Sequence, residues 1–250
     1  MILDPLVLLA LAGVGALAGF VDAIGGGGGL IALPALLAAG VPPVTALGTN
    51  KVQSVIGTGM AALTYWRSGF ISMRDLAIAI VVTFAAAFFG AWLVKQIDIS
   101  ILKTAVPAAL ILIAGYFLFA PRLTDESRHA RLPFPQLVSL LGMVVGFYDG
   151  AFGPGTGTFL TIGFVGLFGL GLTRAAGHTK ILNLTSNLGA LAMFIPSGDV
   201  LWTAAAAMAV GQLFGGYLGA VTGIRYGARI IRPIVIVMSI GLAIKLLVFR

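Results

Sequence analysis

One motif occurs twice in this chain, and each time it puts charge where the surrounding sequence is least able to carry it. Phe20-Val21-Asp22, followed by Gly25, Gly26, Gly27, Gly28 and Gly29, returns as Phe147-Tyr148-Asp149, followed by Gly153, Gly155 and Gly157. Further along each copy comes a lysine, in Leu47-Gly48-Thr49-Asn50-Lys51 and again in Gly177-His178-Thr179-Lys180. Two halves that repeat such a pattern are expected to share one architecture. The chain therefore divides into 1–120, a hydrophilic linker at 121–135, and 136–250.

The sequence around these motifs suits a lipid bilayer. Only 9% of the 250 residues are charged, against roughly a quarter in a soluble domain, and the mean hydropathy is +1.08. Long uncharged runs make the expected fold all-α, a polytopic transmembrane helical protein. The 35 glycines would weaken soluble helices, but in a membrane they allow close packing and broken helices that line a cavity. The absence of cysteine excludes disulfides, thiolate metal sites and cysteine nucleophiles. A net charge of +7 would fit a nucleic-acid partner if it were clustered. Instead Lys and Arg sit mostly in short loops between apolar runs, as cytoplasmic loops of membrane proteins do. The expected partner is thus the bilayer and not nucleic acid. The N-terminal apolar stretch has no basic leader and no cleavage site, so it reads as a first span.

In the first half the spans read 6–24, 30–39, 45–65, 76–94 and 101–120. In the second they read 137–152, 158–170, 173–195, 201–221 and 231–249. The ten residues at 30–39 cover only ~15 Å as a helix, about half a hydrocarbon core. If that element simply turns back, each half has four crossings and the halves are parallel. If it completes a crossing with its flanks, each has five and they are inverted. The five-crossing arrangement gathers Arg67, Arg74, Arg122, Arg128, Arg131, Arg174, Arg225, Arg229 and Arg232 on one side, leaving Lys95, Lys103 and Arg250 on the other. The positive-inside rule thus favours two inverted repeats of five elements in the inner membrane, both termini outside.

Asp22, Lys51, Asp149 and Lys180 fall well inside these spans and their breaks. An ionisable group at membrane depth is a functional candidate by default. One reading pairs them within each half, Asp22 with Lys51 and Asp149 with Lys180, as structural ion pairs. The other makes the lysines part of a midplane site, with the two aspartates holding them or exchanging protons. Helical spacing puts Lys51, Ser54 and Thr58 on one face, and Lys180, Asn183 and Asn187 repeat that spacing. Asn50, Gln53, His178 and Thr179 add polar groups at the start of the same helices. The nine of these residues other than Gln53 form the expected binding set, mostly hydrogen-bond donors suited to a small anion. The glycine runs add backbone N–H groups able to form an anion nest, or hinges. No nucleophile elbow, metal spacing or cofactor motif accompanies them, so neither an enzyme nor a cofactor is expected. Trp66, Trp92 and Trp202 lie near span ends, where an interfacial belt places them.

With Gly19-Phe20-Val21-Asp22-Ala23-Ile24 and its glycines, Leu47-Gly48-Thr49-Asn50-Lys51, and their echoes at 147–155 and 177–180, the chain resembles the TauE/SafE (TSUP) family over nearly its whole length. The resemblance implies a secondary transporter of sulfite, organosulfonates or related sulfur-containing anions, working by alternating access as one half rocks against the other. A carrier of another small organic anion is the alternative, and a passive pore is a further one. Asn50-Lys51 becomes Thr179-Lys180 in the second half, so the asparagine's role is not carried over there.

Overall fold

The computed structural model describes residues 3–96, 134–234 and 237. Within them the chain forms eight long or half-length helices: α1 Pro5–Gly25, α2 Gly29–Ala38, α3 Pro43–Arg67, α4 Met73–Gln96, α5 Phe134–Ala151, α6 Thr156–Phe168, α7 Leu172–Phe194 and α8 Trp202–Tyr226. The expected span at 101–120, most of that at 231–249 and nearly all of the linker lie outside the described residues.

Local chemistry sets the boundaries. Asp4 accepts a hydrogen bond from the Leu6 N–H at 2.7 Å, and Pro5 follows as first helical residue, a cap that satisfies an otherwise orphaned donor. At the far end of α1, Gly26 takes φ 81° while its N–H bonds the Asp22 carbonyl. In the second half Gly155 takes φ 88° just before α6. Only glycine adopts such values freely, so the sequence breaks its helices at the two glycine runs.

Burial is inverted relative to a soluble domain. α1, α4 and α8 are long and apolar enough to cross a membrane, and they present Leu6, Leu9, Ile78, Val81, Val210 and Phe214 outward. α3 and α7 are as long but more polar, and they occupy the interior. Lys51, Asp149, Lys180, Asn183 and Asn187 are all at least 95% buried. Apolar outside and polar inside is how a helical membrane protein keeps its ionisable groups from lipid. Trp66, Trp92 and Trp202 are exposed at helix ends.

Close contacts fix the relative directions. Ala12 meets Gly211, Ala16 meets Gly215 and Phe20 meets Gly219, so α1 and α8 run parallel. Thr83 meets Gly142 and Gly146 while Ala87 meets Gly150, so α4 and α5 run parallel too. α3 runs with α8, Gly57 against Gly216 and Tyr65 against Gly223, and against α7, Gly48 beside Phe194 and Gly59 beside Leu184. α7 runs with α4: Phe84 meets Gly189, and Ala91 and Val94 cluster with Ala190 and Phe194. Helices α1, α3 and α8 therefore point one way and α4, α5 and α7 the other. The two motif-bearing helices, α1 and α5, are antiparallel. Arg67, Arg74, Arg174 and Arg225 collect at one face of the bundle, with Asp4 and the 2.6 Å Lys95–Asp199 ion pair at the other.

The parallel seams consist of backbone against backbone. A Cβ at Gly215 would fall 2.0 Å from the Ala16 carbonyl oxygen, whereas one at Gly13 would meet nothing within 4 Å. Gly215→Val is expected to destabilise the protein by about 1–3 kcal/mol or prevent folding, as overpacking does, while Gly13→Ala stays within about 0.5 kcal/mol of wild type. Thermal unfolding and size-exclusion profiles in detergent would show the difference.

Candidate functional site

The two glycine breaks meet at the centre of the molecule. A Cβ on Gly26 would lie 2.7 Å from the Gly157 Cα, and one on Gly157 equally close to the Gly26 Cα. Across this crossing the Thr158 hydroxyl donates to the Gly25 carbonyl at 3.2 Å. These runs therefore serve first to let two chains pass in direct contact. Gly28 donates its N–H to Asp22 Oδ1 at 3.2 Å, so this donor of the first run is already occupied by the chain's own carboxylate.

The ion pairs cross between halves. Lys51 Nζ lies 2.7 Å from Asp149 Oδ1, and Lys180 Nζ lies 3.3 Å from Asp22 Oδ2 while also donating to the Asp22 backbone carbonyl. The within-half pairing expected from the sequence is thereby corrected. Its physical reason is the antiparallel contact of α3 with α7, which carries each lysine past the other half's broken hairpin. Both pairs are buried, but unequally: the Asp149 side chain is 2% exposed and that of Asp22 13%. Asp149 additionally accepts from the Thr156 and Ser186 hydroxyls, each at 2.6 Å. The Lys51 ammonium approaches Asp149 without the alignment of a hydrogen bond, and no described residue offers it another acceptor. The contact is thus a close ion pair whose ammonium keeps hydrogens not directed at any described acceptor.

A cavity of about 20 Å³ lies between the breaks, enough for about one water molecule. It is lined by Asn50, Lys51 and Ser54 from the first half, Asn183 and Asn187 from the second, and both aspartates. Thr156 and the glycines Gly27, Gly29, Gly153, Gly155 and Gly157 complete its wall, whereas Gly25, Gly26 and Gly28 do not line it. An anion with three oxygens does not fit where one water does, so the cavity is too small for such an anion in this conformation.

Four of the nine expected binding residues do not line it. Thr58 spends its hydroxyl on the Ser54 carbonyl at 2.6 Å, and Thr179 pairs with Thr161 at 3.1 Å. Lys180 is held behind Asp22. His178 lines a separate cleft of about 460 Å³ with Phe70, Ser72, Asp75 and Arg174, its Nδ1 2.9 Å from the Arg174 carbonyl. At 3.6 residues per turn, two positions separate His178 from Lys180 by more than half a turn, which sends the imidazole away. Gln53, expected among the polar groups of its helix, donates its amide to Asn50 Oδ1 at 2.7 Å, whereas Thr156 and Ser186 were not singled out by the sequence. Ser186 stands three residues after Asn183, on the polar stripe, so helical spacing was a usable signal for it. Thr156 carried none beyond its position at the start of α6.

The crossed pairing has a direct consequence. A double-mutant cycle on Lys51→Met and Asp149→Asn should give a coupling of about 1–3 kcal/mol in thermal unfolding, with a smaller one for Lys51→Met and Asp22→Asn. Equal or reversed couplings would contradict the geometry.

Comparisons with known proteins agree with this picture. The family model described as "Sulfite exporter TauE/SafE" matches residues 11–246. A Sinorhizobium protein named "Probable membrane transporter protein ORF9" is 44% identical, over 92% of this chain and 88% of its own. A "Probable membrane transporter protein" of Haemophilus influenzae is 42% identical, over 93% and 91% respectively. "Probable membrane transporter protein YfcA" of Escherichia coli K12 is 41% identical, over 98% and 91%. No solved structure matches the chain. An integral helical bundle with paired charges at its centre, matched along nearly its full length, places the chain in the TauE/SafE family of membrane transporters.

Proposed function

We propose that the protein is a secondary carrier of small anions, with sulfite, sulfonates and related sulfur oxyanions as the first candidates. It works by alternating access about the cavity between two inverted repeats. The observation that carries this reading is the buried Lys51 ammonium, which lacks an aligned acceptor in a cavity shared by amides and hydroxyls of both halves. Asn50, Asn183, Asn187 and Ser54 offer the further donors that anionic oxygens need. The opposite directions of α1 and α5, each ending in a glycine break, support inverted repeats. Such architecture places its substrate at broken helices between the repeats. The family description names sulfite export, which supports sulfur oxyanions as cargo.

In proteoliposomes, flux of the true substrate is expected to saturate and to be accelerated by substrate on the far side. Lys51→Met, verified as folded, should reduce it at least about tenfold, the equivalent of about 1.4 kcal/mol. Unchanged flux in that variant, or single-channel currents in the wild type, would overturn the carrier reading.

The arginine-bearing face is proposed to be cytoplasmic and the Lys95–Asp199 face external, following the positive-inside rule. Because the chain has no cysteine, Ser72→Cys and Ser197→Cys, both at exposed positions, give clean reporters. In intact cells an impermeant maleimide should label Cys at 197 and spare Cys at 72. The reverse pattern would invert the assigned orientation.

A further inference from the structure

We propose that Asp149 is a proton-binding site whose protonation releases the Lys51 ammonium to an incoming anion, so that one proton and one negative charge occupy the centre together. The inference rests on the anion-carrier reading and names its coupling ion. Its basis is a chemical difference between the buried Asp149 and the half-buried Asp22.

A carboxylate that gains and loses a proton inside a protein needs neighbours that serve it in both states. A hydroxyl does so, since it donates or accepts; a backbone N–H and an ammonium only donate. Both oxygens of Asp149 rest on hydroxyls, Thr156 on Oδ1 and Ser186 on Oδ2, at 2.6 Å each, with the Lys51 ammonium also 2.7 Å from Oδ1. Each hydroxyl also has a carbonyl within reach: Gly153 at 2.8 Å from Thr156 and Asn183 at 3.0 Å from Ser186. When Asp149 takes a proton, one hydroxyl turns its hydrogen to that carbonyl and accepts the acid's hydrogen on a lone pair. No hydroxyl, carbonyl or carboxyl atom is orphaned by the exchange; only the Lys51 ammonium loses its counter-charge. Asp22 is built differently. Its side chain meets the Gly28 N–H at 3.2 Å and the Lys180 ammonium at 3.3 Å, both obligate donors. Among the described residues Asp22 thus has no hydroxyl bonded to it that could accept an acid hydrogen, whereas Asp149 has two, and the proton is assigned to Asp149.

The charged surroundings give the exchange its effect. Facing Asp149 are Lys51 from α3, Asp22 from α1 across the cavity, and Lys180 from α7, which Asp22 already holds. α6 presents Thr156 and no ionisable group, and α4 has none between Asp75 and Lys95. On α5 itself Tyr148 donates its hydroxyl hydrogen to the Pro154 carbonyl at 2.7 Å. With both pairs intact the centre carries two positive and two negative charges. An anion added to that set leaves one buried negative charge uncompensated, which is strongly unfavourable. A proton on Asp149 forms one O–H bond, changes no other covalent bond, and leaves Lys51 as the unneutralised charge. The anion then restores neutrality.

The test uses the purified full chain and methanesulfonate, a probe that keeps a single negative charge from mildly acidic to mildly alkaline solution. Calorimetric titration in buffers of different ionisation enthalpy counts protons taken up on binding. In the wild type, affinity is expected to rise by up to about tenfold for each unit fall in pH, with about one proton taken up per anion. Asp149→Asn should bind with pH-independent affinity and no proton uptake, and Asp22→Asn should retain the pH dependence. Ser186→Ala, which removes one switching hydroxyl and keeps the charge, should move the midpoint of the pH profile; it serves where the Asp149 variant does not fold. Proton uptake persisting in Asp149→Asn, a pH dependence lost in Asp22→Asn instead, or an unmoved midpoint in Ser186→Ala would overturn the assignment. Wild-type binding without proton uptake would overturn it while leaving the anion reading intact. Absence of binding by methanesulfonate, sulfite and acetate at every pH would remove the anion reading itself.

Discussion

Two lysine–aspartate contacts, each made between different halves of the chain, are the constraint around which the molecule is arranged. A single charge buried among helices is costly to strand, and losing one partner of a buried pair typically costs about 3–5 kcal/mol. Each half is therefore incomplete alone, since its lysine finds a carboxylate only in the other. The glycine breaks make these contacts reachable. They stop α1 and α5 where the aspartates lie and permit the crossing at Gly26 and Gly157 that brings the lysine-bearing helices alongside.

Glycine is used in this protein mainly for proximity. Without a hydrophobic driving force between helices in lipid, close van der Waals packing has to hold them, and helix backbones approach only where side chains are absent. Gly15, Gly19, Gly211, Gly215 and Gly219 form one such seam, and Gly90, Gly142, Gly146 and Gly150 form its counterpart. In both, a first helix of one half lies on the fourth helix of the other. A sequence reading that treats the glycines chiefly as anion nests misses this larger share of their work.

Much of the fold was legible because its punctuation is chemical. Proline and glycine at 40–43, at the two breaks and at 169–171 mark helix ends that the structure reproduces to within a few residues, and the apolar lengths identify the outer helices. The site was legible in part. Lys51, Asn50, Ser54, Asn183, Asn187 and both aspartates do converge on one cavity, because helical spacing is local information. Partnership was not legible, since it depends on how α3 packs on α7. Hydroxyls were harder still. Thr64 and Thr185 bond the carbonyl four residues back, as hydroxyls in apolar helices commonly do, and nothing local distinguishes them from Thr156.

The backbone seams also decide what is able to move. α8 is fastened to α1 and α3, and α4 to α5 and α7, along lengths where even a methyl group has no room. Opening the central cavity by separating the two sequence halves would have to tear both fastenings. The parting surface that spares them runs elsewhere: α1, α2, α3 and α8 form one block, and α4, α5, α6 and α7 the other, so that the halves have traded their fourth helices. Both lysine–aspartate contacts span that surface, and each of its two sides is assembled from both halves of the sequence.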